Sequence, residues 1–167
     1  MRLKFALALC LASLPTGICL ASLPAPASAL QDTAPYGAPV ELQQARQIVD
    51  SARKAAGERR FAMAFAVVDV SGQLVLFEKM DGTQYGSIVV AQEKARSAAL
   101  FKRPTKVFSD AVTAGRVAVI SLPGALPIEG GVPIVVQGRI IGALGVSGGT
   151  SEQDGEIAAA ALAAMSS

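Results

Sequence analysis

Histidine is absent from the chain, and cysteine occurs only twice, at Cys10 and Cys19. Without imidazole, every acid/base mechanism that depends on histidine is excluded. Charge is also scarce. Charged residues make up 17% of the chain, 15 basic against 13 acidic, and no basic cluster is present that would mark a nucleic-acid surface.

Both cysteines fall in an N-terminal stretch that reads as a processing signal. Met1-Arg2-Leu3-Lys4 is a short basic region, Phe5 to Leu23 is apolar but broken by Pro15 and Gly17, and Ala27-Ser28-Ala29 is an A-x-A cleavage pattern. These features predict a secretory signal peptide over 1–29 rather than a retained membrane anchor, with the cut near Ala29 and a periplasmic or secreted product. Arg2 and Lys4 would leave with it, so the 15 basic residues become 13 and balance the 13 acidic ones. Cys10 and Cys19 would leave too, so disulfides, thiol chemistry and ordinary zinc sites are excluded from the mature chain. About 138 residues would remain, enough for a single domain with its own core.

Leu30 to Pro39 is rich in Pro, Gly and Ala and reads as a flexible leader, with a single domain over 40–167. Val40 to Ala56 carries Leu42, Ala45, Ile48, Val49, Ala52 and Ala56 at helical spacing, with Gly57 as a stop. Phe61 to Asp69 alternates bulky Phe61, Met63, Phe65 and Val67 with Ala62, Ala64 and Ala66, which predicts a strand. Asp69-Val70-Ser71-Gly72 turns it into a second strand, Gln73 to Met80. Ser87 to Leu100 is an alanine-rich helix, and Pro104 to Ala114 a shorter one. Val117 to Leu122 is a strand candidate, and Val132 to Gln137 with Arg139 to Val146 a hairpin. A final helix runs from Ser151 to about Met165, with Ser151 as cap and Asp154 as its capping-box partner. The expectation is an α+β fold: an antiparallel five-stranded sheet flanked by helices, gathered mostly on one side.

Gly145-Val146-Ser147-Gly148-Gly149 matches the G-x-S-x-G elbow of serine hydrolases. No histidine exists to serve as base, only 20 residues follow Ser147, and the strands are antiparallel. Ser147 is therefore read as architecture, in a glycine-lined strand and a sharp turn.

Four segments in order carry a resemblance. They are Val67 to Gly82 (VVDVSGQLVLFEKMDG), Ala91 to Thr105 (AQEKARSAALFKRPT), Leu126 to Gly149 (LPIEGGVPIVVQGRIIGALGVSGG) and Gln153 to Ala158 (QDGEIA). Together they resemble the GlcG/HbpS family of haem-binding or haem-degrading (DUF336-type) proteins. That resemblance implies a profilin-like α/β sandwich, a homo-oligomer from dimer to octamer, and haem as a possible cofactor. Where family members place histidine on iron, this chain offers Tyr85, Tyr36, Met63, Met80 or Thr113, with Tyr85 the leading candidate. Met63, on the bulky strand face, reads as core.

Glu129, before Gly130 and Gly131, stands in an apolar stretch and is either a pocket acid/base or a solvated turn carboxylate. Lys94 is either a carboxylate binder or a surface lysine, and Arg96, two residues on, points elsewhere. Two functions stay open at this point. One is an exported oligomer binding haem, another tetrapyrrole or a small organic ligand around Met80, Tyr85, Lys94, Glu129, Gly130 and Gly131. The other is an enzyme on a small carbonyl or carboxylate metabolite, with Glu129 as acid/base and Lys94 or Arg96 holding the substrate anion. A lesser reading is a partner for a membrane sensor. None requires nucleic acid, zinc, a nucleotide or a stable membrane anchor.

Overall fold

The structure, a computed structural model, describes residues 33–165. The expected signal peptide, its cut near Ala29 and the first residues of the leader lie outside the described residues.

Among the described residues, four α-helices and four strands follow in the order α1 (Leu42–Glu58), β1 (Ala64–Asp69), β2 (Leu74–Lys79), α2 (Ser87–Phe101), α3 (Lys106–Thr113), β3 (Gly131–Val136), β4 (Arg139–Ser147) and α4 (Ser151–Ala163). The strands form one antiparallel sheet in the order β2-β1-β4-β3. The class is α+β, as expected, with both hairpins in place. Helix α1 runs through Gly57 to Glu58 instead of stopping at the glycine.

The expected fifth strand is absent from the described residues. Val117–Ser121 is a 3-10 turn instead, held by i→i+3 bonds such as Val119 N to Arg116 O at 3.2 Å. No strand lies beside it to pair with, and Val117 and Ile120 remain exposed. β-branched composition alone does not make a strand without a partner ladder.

The helices are not gathered on one side, as was expected. Phe65 and Val67 of β1, with Leu144 and Val146 of β4, face α1 and α4 in a cluster that includes Ile48, Val49, Met63 and Ile157. Met63 is fully buried there, as its place on the bulky face implied. On the other face, Ala64, Ala66, Val68 and Ala143 meet Ala91, Ala95, Ala98 and Ala99 of α2. The large/small alternation of β1 therefore marks two buried faces, the small one admitting a helix at close range. Gly145 sets that distance, because a Cβ there would overlap the Ala91 carbonyl and stand 2.6 Å from the Ala95 nitrogen.

Residues 35–40 are docked rather than loose. Pairing of β1 with β4 stops at Asp69–Gly142, which leaves the β4 backbone beyond it open. Pro35 and Gly37 fill that place: Ile140 N donates to Pro35 O at 2.9 Å and Gly37 N to Ile140 O at 2.8 Å. The Tyr36 hydroxyl donates to the Ala99 carbonyl at 2.8 Å, a second donor to an acceptor in the last turn of α2 that Lys102 N reaches at 3.4 Å. Burial pushes the Tyr36 phenol above its ordinary pKa. Among the described residues no helix is long and apolar enough to cross a membrane.

Gly145→Ala is expected to force α2 off the sheet and to cost about 3 kcal/mol. Urea unfolding checks this, and a variant as stable as the parent would contradict the close approach described.

Candidate functional site

Four of the six sequence-derived site residues converge where α2, the start of β3 and the start of α4 meet. Lys94 is not on the surface. Its side chain is 1% exposed, and Nζ lies 2.6 Å from Asp154 Oδ2, whose side chain is 4% exposed. Nζ also donates to Val146 O at 3.1 Å. The second Asp154 oxygen accepts from Gly149 N at 2.9 Å.

This engagement displaces the expected cap of α4. Asp154 is committed to Lys94 and Gly149, so it is not the capping partner of Ser151. Thr150 caps instead: its Oγ1 accepts from Gln153 N at 3.3 Å, and Gln153 Oε1 accepts from Thr150 N at 2.9 Å. The box exists one residue earlier than expected, with glutamine in place of the acid.

Gly130 lies directly on the ion pair. A Cβ there would stand 2.8 Å from Lys94 Nζ and 2.7 Å from Val146 O. Gly131 packs against the Lys94 backbone and exchanges hydrogen bonds with Thr105, as donor to Oγ1 at 3.0 Å and acceptor from N at 2.9 Å. These glycines therefore admit protein, not a ligand. Glu129 is partly covered, 21% exposed, with Oε2 3.7 Å from Lys106 Nζ. Its Cγ lies where a side chain at Gly155 would begin. The hydrogen-bonded Asp110 carboxylate, and Glu129 beside it, push the Lys106 ammonium above its ordinary pKa.

Met80 and Tyr85 lie apart from this group, after the outer strand β2, with β1 and β4 between. Met80 is half-buried, packs on the α1/α4 side of the sheet and donates its N–H to Met63 O at 2.9 Å. Tyr85 is 84% exposed, and its hydroxyl has no hydrogen-bond partner among the described residues. Lys79 Nζ stands 6.0 Å from its ring centroid, at the outer range of a cation–π contact. The other candidate oxygen donors are occupied: Tyr36 as described, and Thr113 Oγ1 donating to Ser109 O at 3.1 Å.

Ser147 is buried, and among the described residues its hydroxyl bonds only that of Ser87, at 3.1 Å. With Lys94 paired to Asp154, no base is available to activate it.

A family model described as "Haem degrading protein HbpS-like" matches residues 40–163. The chain belongs to that family. Protein GlcG of Escherichia coli (strain K12) is 40% identical over 105 residues, covering 63% of this chain and 78% of GlcG. The solved structure of Klebsiella pneumoniae protein ORFY superimposes with a TM-score of 0.71 at 31% identity, over 83% of this chain and 99% of ORFY. A PduOC–haem complex superimposes with a TM-score of 0.68 at 28% identity, over 75% of this chain and 94% of that one.

Lys94→Ala leaves the Asp154 charge buried without its partner and is expected to cost about 4 kcal/mol. Lys94→Met with Asp154→Asn removes both charges while keeping an acceptor for Gly149 N, and is expected to recover much of that loss. Urea unfolding of both variants checks this; a double variant weaker than the single one would contradict it.

Proposed function

We propose that the mature protein is an exported, homo-oligomeric binding protein for haem or a related tetrapyrrole, with Tyr85 as the side chain that reaches the iron. The observation that carries this reading is the likeness to PduOC, solved with haem, within a family whose model describes haem degradation. Export rests on the signal pattern of residues 1–29, and assembly on the family resemblance.

The residues present fit the group in one place. Iron accepts a tyrosinate where histidine and cysteine are missing. Met63 is fully buried, Met80 packs inward, and Tyr36 spends its hydroxyl on α2, which leaves Tyr85 as the donor open to solvent. Val89, in the first turn of α2, is 62% exposed and adds apolar surface four residues on in the chain. Lys79 Nζ stands on the same side, 6.0 Å from the ring centroid. Haem, when bound, supplies the iron chemistry; the chain contributes the donor, the apolar contact and the neighbouring charge.

The metabolite-enzyme reading has less support. Lys94 is buried and neutralised by Asp154, so it holds no substrate anion, and the Glu129 carboxylate leans on Lys106 and α4.

Titration of the purified mature protein with haemin is expected to give a saturable Soret shift. Tyr85→Phe is expected to abolish the tyrosinate features of the visible spectrum with an unchanged fold by circular dichroism. Absence of any saturable shift at stoichiometric haemin would overturn the reading.

A further inference from the structure

Val117 to Ile128 (VAVISLPGALPI) runs for twelve residues without a charge, and none of them is buried. The stretch is a built arm. The 3-10 turn over Val117–Ser121 opens it, Leu122 N donates to Val119 O at 3.1 Å, and Ala125 N donates to Leu122 O at 3.1 Å. Leu126 N donates to Ser97 Oγ at 3.0 Å, which fastens the arm to α2. Its aliphatic side chains are left bare all the same. Val117 and Ile120 are 63% and 61% exposed, Leu122 and Ile128 are exposed too, and α3, which packs on the turn, adds exposed Val107.

Those five residues present roughly 450 Å² to solvent, the size at which an apolar patch ordinarily serves a partner. With the rest of the uncharged arm the face reaches about 800 Å², the share that each subunit contributes to a standard interface. The outer strands offer less. On β3, Pro133 has no N–H to give, Gly131 spends both backbone groups on Thr105, and the register breaks between Ile134 and Val135. The ladder of β2 breaks too, opposite Val67 and Val68.

The charges at the two ends of the arm indicate what covers it. At the start of α3, two carboxylates, Asp110 and Glu129, share the single Lys106 ammonium, at 2.8 and 3.7 Å. Past the other end of this eight-residue helix, about 12 Å away along its axis, stands Arg116. Its guanidinium is exposed and makes no ion pair among the described residues. A surface that is apolar in the middle, acidic at one end and basic at the other is complementary to itself when turned around.

We propose that a second copy of this chain covers the arm, packed antiparallel to it about a two-fold axis, so that each Arg116 meets the partner's Asp110 and Glu129. The inference rests on the assembly part of the reading above, supplies its surface, and is independent of haem.

Sedimentation velocity of the mature protein tests it. Ile120→Lys and Val117→Lys, both at exposed positions and each checked for fold by circular dichroism, are expected to weaken association more than about tenfold and at least to halve the mass of the assembly. Arg116→Glu is expected to weaken it about fivefold at low salt, a loss that high salt removes. Val135→Lys and Leu74→Lys, on the two outer strands, are expected to leave the mass unchanged. An assembled wild type whose mass survives both arm substitutions, or falls only with the strand substitutions, would overturn this surface and leave the assembly reading standing. A monomeric wild type would overturn both, and its uptake by phosphatidylcholine vesicles would assign the arm to a lipid surface instead.

Discussion

Two charges with almost no access to water, Lys94 and Asp154, hold the architecture around them in one arrangement. Removing an ammonium and a carboxylate from water is costly, and the contact is tolerable only when the remaining valences are filled. Here they are: Lys94 also donates to Val146 O, and Asp154 also accepts from Gly149 N. The pair therefore ties the middle of α2 to the end of β4, the following turn and the first turn of α4. Gly130 closes over it because no larger residue would clear Nζ. The glycines that resembled a hydrolase elbow serve this junction, with Ser147 packed beside it.

That commitment shapes the functional reading. A lysine locked to an aspartate is not available to a ligand, so binding chemistry has to come from residues left open. The close seating of α2 on alanine and glycine supplies them. With its alanine face on the sheet, α2 turns Gln92 and Arg96 toward the turn that leads into β2, and Tyr85 stands in the turn before the helix. Lys79 stands at one end of this flank and the Gly72 turn at the other. Small residues thus face inward on α2 and a guanidinium outward.

Much of this fold was legible because periodicity reports burial directly. The alternation in β1, the alanine phase of α2 and the Gly138 hairpin each fixed an element to within a few residues. The fifth strand failed because Val117 to Leu122 has strand composition but no neighbour, and pairing is not a local property. The position of Lys94 was readable in principle. It stands three residues after Ala91 and four before Ala98, on the buried stripe, where a charge demands a partner. That partner was read as a cap instead, since an acid near a helix start fits both roles and only the fold chooses. Grouping Met80 and Tyr85 with Glu129 failed for a related reason: strand order, which separates them by two strands, is not written in any single segment.

Haem binding as proposed depends on iron meeting the Tyr85 oxygen in the turn that precedes α2. The most direct test is the resonance Raman spectrum of the ferric haem complex of the mature protein. Excitation into the phenolate-to-iron band is expected to enhance tyrosinate ring and iron–oxygen modes that vanish in Tyr85→Phe. A spectrum without tyrosinate modes, or one unchanged by that substitution, would contradict it.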